Sequence, residues 1–159
     1  MSRVFTTSTF ARRLGFKNAN EKRFRQLIKL AVKKGLLRIQ QGGFKGDSMH
    51  HPKLVVLMKS FDEVKFIERA AFPSYTLSTE VAGYRLVKHR TGWKRLLKSG
   101  EYSQNEWWVC EDCGRKIRIG QPYASKIDFS KAVAPNMMPV SCKCVSCYLD
   151  LVEYIHGLG

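Results

Sequence analysis

Two Cys-x-x-Cys pairs, Cys110/Cys113 and Cys144/Cys147, lie 30 residues apart in the last third of a 159-residue chain, and they restrict its fold more than any other feature. A tetrahedral zinc ion takes four soft ligands at about 2.3 Å, and each pair can fill two corners from one tight turn. The backbone must therefore bring two local turns together across the whole intervening stretch. All five cysteines fall between Cys110 and Cys147, an odd number in two tight clusters. That is metal-site usage in a reducing, intracellular compartment, cytoplasmic (nucleoid) or nuclear, rather than a disulfide framework. Cys142 competes with Cys144 for the third corner, and the i, i+3 spacing to Cys147 favours Cys144. One structural zinc ion is the leading expectation; an iron-sulfur cluster and plain burial are the alternatives. Catalytic zinc is disfavoured, because four cysteines leave no corner for a reacting water.

The other end of the chain is ruled by charge. Residues 1–60 hold 14 Lys and Arg against Glu21 and Asp47 alone, which is +12 of the total of +15, whereas residues 106–159 are neutral. The two ends therefore expect different partners. No run reaches the roughly 18 apolar residues of a membrane span, and the first 15 residues lack the apolar core of a secretory signal, so no membrane partner is expected. At 44% hydrophobic residues the chain is globular in composition, and its length suits one domain or two small ones.

Local patterns give an α+β chain. Thr7 or Ser8 is placed to cap a short helix bearing Phe10 and Leu14, with Gly15 at its left-handed end. Asn18 and Glu21 have capping-box spacing before a helix with Phe24, Leu27, Ile28 and Ala31 on one face, ended by Lys33, Lys34 and Gly35. Its opposite face carries Lys22, Arg25, Lys29 and Lys33 at steps of three and four. Two short strands, 36–40 and 54–58, follow around a glycine-rich tip with Lys45, His50 and His51. Ser60 to Glu63 has the spacing of another capping box, before a helix stopped by Pro73. Beyond it 83–87 reads as extended and 91–98 as a basic helix burying Trp93, Leu96 and Leu97. Glu106 to Cys110 reads as a strand, Ile117 to Ile127 as a hairpin, and Tyr148 to Ile155 as a final helix.

The first sixty residues resemble the winged helix-turn-helix domains of DNA-binding regulators. The stretch from Thr7 to Phe16 is similar to the first helix and turn of that motif, and Ala31 to Leu37 to the helix end that enters a wing. One departure is that Met1 to Phe5 is too short for the leading helix of such domains; the helix near 61–72 is expected in its place. Residues 109–155 resemble treble-clef zinc fingers, with a knuckle before a hairpin and the second cysteine pair in the first turn of a helix. The expected organisation is a winged unit (1–60), a helical basic connection (61–105) and a zinc module (106–159).

Together these readings predict a transcription regulator that binds double-stranded DNA in a sequence-dependent way, and not an enzyme. A helix about 10–12 Å across fits the major groove. Arg23 and Arg25 are the candidates for guanine edges, Lys22, Lys29, Lys33 and Lys45 for phosphates, and Arg12 and Arg13 for flanking backbone. The bland reading, a solvated helix face, is weakened by the near absence of interleaved acids. RNA or ribosome association is the first alternative. A zinc-containing nuclease is the second, and it lacks both an acidic cluster and any histidine between Cys110 and Cys147. The resemblance to treble-clef modules further implies a homodimer or transcription-protein contact through the neutral half.

Overall fold

The computed structural model describes residues 3–41, 53–57, 61–72, 80–89, 108–127 and 140–158. In chain order these form β1 (Arg3–Thr6), α1 (Thr7–Arg13), α2 (Lys22–Lys33), β2 (Leu37–Gln41), β3 (Lys53–Leu57), α3 (Glu63–Ala71), β4 (Arg85–Lys88), β5 (Trp108–Val109), β6 (Lys116–Ile117), β7 (Pro122–Ile127), β8 (Val140–Lys143) and α4 (Val145–His156). The mixed α and β content matches the coarse expectation. The wing tip with Lys45, His50 and His51, and the helix expected at 91–98, lie outside the described residues.

The start of the chain is a strand rather than an idle lead. β1 pairs antiparallel with β3, and β3 with β2, in a three-stranded sheet of order β1-β3-β2. Thr6, one residue earlier than expected, then caps α1 by accepting from the Thr9 amide at 3.2 Å. α1 ends with Gly15 at φ +94, where the Phe16 amide donates to the Ala11 carbonyl at 2.9 Å and the Gly15 amide to Arg12 at 3.1 Å. α2 ends in the same paired pattern, Leu36 to Ala31 and Gly35 to Val32, so both helices stop where a glycine can turn left-handed.

Two expected caps are corrected. Glu21 is the residue before α2 and makes no capping bond; Asn18 instead accepts from the Asn20 amide at 2.9 Å within the turn. α3 is capped by Asp62, which accepts from the Lys65 amide at 3.0 Å; Ser60, the residue that spacing suggested, lies outside the described residues. At α3 an oxygen nearer the helix does the capping, whereas α2 starts without a side-chain cap.

A second sheet, of order β4-β7-β8, draws residues 85–88 into the same sheet as the cysteine-bearing end. β4 is entered by a tight turn in which Val81 and Tyr84 exchange backbone bonds of 2.8 and 2.9 Å around Ala82 and Gly83, both at positive φ. One hydrophobic core then runs from Phe10, Leu14, Phe24 and Leu27 through Ile67, Leu86 and Ala124 to Val145, Tyr148, Leu149 and Val152. Phe10 sits at its centre, fully buried, with the rings of Phe5, Phe24, Phe61 and Phe66 at 5.3 to 6.3 Å. This core continues across the positions near 60 and 105 where boundaries were expected.

Candidate metal centre and the cationic helix beside it

The chain builds the centre from two local devices. Between β5 and β6 it folds into a knuckle: the Cys110 amide donates to the Arg115 carbonyl at 2.8 Å, and the Gly114 amide returns to the Cys110 carbonyl at 3.0 Å. Gly114, at φ +75, makes this tight reversal affordable. Cys144 is the residue before α4, and Cys147 lies in that helix's first turn, where free amides favour anionic sulfur. The ligand atoms of Cys110, Cys113, Cys144 and Cys147 all lie within 4.8 Å of one another. Cys113 and Cys144 sulfurs are 3.7 Å apart. Four thiolates about 2.3 Å from a single ion stand about 3.8 Å apart at tetrahedral corners, so the group has the size of a one-metal site.

Cys142 does not join this group, which answers the choice left open by the sequence. It is buried on β8 opposite Ser125, and its backbone carbonyl accepts from the Glu111 amide at 2.9 Å. Its backbone thus steadies the knuckle from below.

The electrostatics of the four sulfurs call for a cation. Burial raises the Cys110 thiol, but backbone hydrogen bonds from Cys144, Cys113 and Asp112 outweigh that and bring it down to about 7. Burial pushes Cys144 up to about 12, and Cys147 is raised by burial and then by the neighbouring Cys144 and Cys110 charges. Cys110 ionises readily while Cys144 and Cys147 resist beside it; a bound divalent ion removes the conflict. Around them, Lys143 pairs with Asp112 at 2.5 Å and Glu111 at 3.3 Å, and Tyr84 donates its hydroxyl to Glu111. Burial and Glu111 together push the Tyr84 phenol up to about 12, so it remains a donor. Both residues between the knuckle cysteines are therefore held by side chains from β8 and the turn before β4.

The knuckle also grips the first helices. Arg115 pairs with Glu21 at 2.5 and 3.1 Å, immediately before α2. Burial would weaken the guanidinium, yet Glu21 and the nearby thiolates keep it charged. Gln121 donates to the Arg12 carbonyl at 2.8 Å, and a Cβ placed on Gly15 would lie 3.0 Å from the Pro122 carbonyl oxygen and 3.1 Å from a Val145 methyl.

The expected contact residues divide into three groups. Lys22, Arg25, Lys29 and Lys33 are exposed along α2 opposite its buried face of Phe24, Leu27, Ile28 and Ala31, and none of the four makes an ion pair among the described residues. Arg12 is exposed at the end of α1. Arg23 departs from expectation: its side chain is 15% exposed and bonded to Asp150 at 2.5 Å and to Glu153, both on α4. Arg13 departs as well, bonding Glu63 at 2.9 Å while lying over the Phe5 and Phe61 rings at 5.1 and 5.8 Å. Lys45 lies outside the described residues.

Sequence reasoning missed Glu21, Arg115, Asp150 and Glu153 as a set. Their sequence separations of 94, 127 and 130 residues leave no local signal; only the shortage of acids near Glu21 singles it out. It missed Lys34 too, whose ammonium caps α3 on the carbonyls of Arg69, Ala70 and Phe72 at 2.6 to 3.0 Å. Among the described residues no helix is long and apolar enough to cross a membrane. No protein-family model matches the chain, and neither a curated protein nor a solved structure matches it.

Proposed function

We propose that this chain binds double-stranded DNA in a sequence-dependent way as a transcription regulator, reading it with α2, while the four cysteines hold one structural zinc ion. The observation that carries this reading is the outer face of α2, where Lys22, Arg25, Lys29 and Lys33 are exposed and make no ion pair among the described residues. A solvated structural face normally interleaves acids, and this one has none. Exposed cations on a rigid rod suit phosphates and base edges.

The reading takes the amino-terminal part as a winged helix-turn-helix unit. It is supported by the short turn between α1 and α2, by the β1-β3-β2 sheet, and by α3 packing against α2 as a substitute for a leading helix. The carboxy-terminal part is read as a treble-clef-like unit, from its knuckle, its hairpin and the cysteine pair at a helix start. Four protein sulfurs fill every corner of a tetrahedral ion, so the role assigned to zinc is folding rather than catalysis.

Titration of a labelled duplex, repeated from 50 to 200 mM salt, tests the reading. Four phosphate contacts predict a slope of log K on log salt of about −3.6 or steeper. Tighter binding to structured RNA than to duplex DNA, or duplex binding indifferent to salt, would overturn it.

A further inference from the structure

The geometry points to Gln26 as a base-reading side chain of α2, held by Arg23 so that it offers its amide N–H groups to the keto edge of a base, guanine above all. This inference rests on the proposed function and adds to it the kind of base edge that one side chain would select.

Positions 22, 26, 29 and 33 follow one another at steps of four, three and four, so Gln26 stands between Lys22 and Lys29 on one face of α2. It is the one neutral side chain of that row, and it is half-buried where the three lysines are exposed. Lysines suit phosphates, which position a protein without reading sequence. A neutral amide draws little from phosphate charge and has most to gain from a base edge.

What sets Gln26 apart is that its carboxamide is already gripped. Arg23 Nη1 donates to Gln26 Oε1 at 2.7 Å. A guanidinium has donors only, so the amide atom that faces it is the oxygen. Arg23 is itself fixed: Nε donates to Asp150 at 2.5 Å and Nη1 to Glu153, both on α4, and the side chain is 15% exposed. Burial would weaken the guanidinium, but Glu153 and Asp150 more than offset it, so the charge is kept. With its oxygen turned to Arg23, the Gln26 amide nitrogen is turned away, and it makes no hydrogen bond among the described residues.

The amide therefore presents two N–H donors. Its oxygen keeps a second lone pair, but that lies beside a cation, where a further N–H donor is disfavoured. In the major groove guanine offers O6 and N7 as acceptors and thymine offers O4, while adenine and cytosine carry an amino group at the same place. An unheld glutamine pairs with adenine through both ends of its amide. Here one end is committed, which matches Gln26 to guanine and makes Arg23 the residue that positions it.

Selection from random duplex DNA at 0.15 M salt tests this on full-length, metal-loaded protein, comparing the wild type with Gln26→Glu, Gln26→Met and Arg23→Met. At one position of the wild-type motif guanine is expected over adenine by about five- to tenfold. Gln26→Glu can still accept from Arg23 but has lost both donors, so that position should change from guanine to cytosine or adenine. Gln26→Met should level it. Arg23→Met releases the oxygen and should move it toward adenine, whereas an arginine that only braced α2 would on removal weaken every sequence alike. Gln26→Glu decides the matter by itself where Arg23→Met does not fold. If Gln26→Met weakens all sequences equally, or both Gln26 variants keep the wild-type motif, or the position that depends on Gln26 is adenine in the wild type, this inference is overturned. The proposed function then still stands, provided that Arg25→Gln with Lys29→Gln weakens binding to the selected motif. If the wild type selects no motif at all, the proposed function has failed as well.

Discussion

α2 and α4 are each 12 residues long, and neither has a side-chain cap at its start. In both, the residue that would cap is engaged elsewhere. Glu21 turns its carboxylate to Arg115, and Cys144 turns its sulfur to the other three cysteines. Their outer surfaces then part ways. α2 presents Lys22, Arg25, Lys29 and Lys33, none in an ion pair among the described residues, whereas α4 presents Asp150 and Glu153, which hold Arg23. One helix leaves a row of cations exposed, and the other braces it through Arg23. A helix start can thus be stabilised by groups far away in sequence, and the same knuckle serves both starts.

The largest effect expected from breaking this arrangement comes from the metal. Because the core is continuous from Phe10 to Val152, removing the ion should destabilise the whole chain in one transition rather than melt a separate module. Cys147→Ser, or a strong chelator, is expected to lower the melting temperature by roughly 10–20 °C, several kcal/mol at about 2–4 °C each. Two well-separated transitions in calorimetry would show that the two ends fold independently.

Next comes Glu63, a buried carboxylate held by Arg13 at 2.9 Å and Lys88 at 3.0 Å, which ties α1, α3 and β4 together. Both cations are more than 40% exposed and can turn to water once it is gone, so Glu63→Ala should cost about 1–3 kcal/mol rather than the full cost of a stranded buried pair. Burial alone would raise this carboxyl, but the hydrogen bonds from Arg13 and Lys88 more than offset it and hold it below its usual 4.5. The ionised form therefore favours the folded state. Its contribution is complete above about pH 4.5 and is lost as pH falls through the lower folded value. Denaturant melts at pH 6 and pH 3 should differ less in Glu63→Ala than in the wild type.

Two glycines sharpen the comparison at a smaller scale. Gly15 and Gly35 end α1 and α2 in the same way at φ +94 and +72, but only Gly15 is pressed against the cysteine-bearing end. Gly35→Ala should cost about 1 kcal/mol for its backbone alone. Gly15→Ala adds the contact with the Pro122 carbonyl and should cost about 2–3 kcal/mol, unless the two ends slide apart. Equal losses in a urea titration would mean that the approach at Gly15 carries no energy.

What could be read in the sequence follows from range. α2 with its buried Phe24, Leu27, Ile28 and Ala31, the end of α3 before Pro73, and the cysteine pairs were legible because each is written within a few residues. The exposed stripe was legible for the same reason. β1 was not, since Arg3 to Thr6 is a strand only because β3, some fifty residues later, supplies its partners. The fates of Arg13 and Arg23 were illegible too: their charge marked them as candidate DNA contacts, and acids on α3 and α4 claimed them. Likewise the continuous core could not be read from composition, which changes sharply along the chain where the packing does not.

The smallest expected effect on stability belongs to the residues with most at stake in the proposed function. Arg25→Glu with Lys29→Glu touches no ion pair among the described residues, so melting temperature and metal content should match the wild type. Duplex DNA affinity measured on that folded, metal-loaded protein at 0.15 M salt is the most direct test of α2 as the reading helix. A loss of at least about a hundredfold is predicted, since two attractions become two repulsions against the phosphates. Affinity within twofold of the wild type would contradict it.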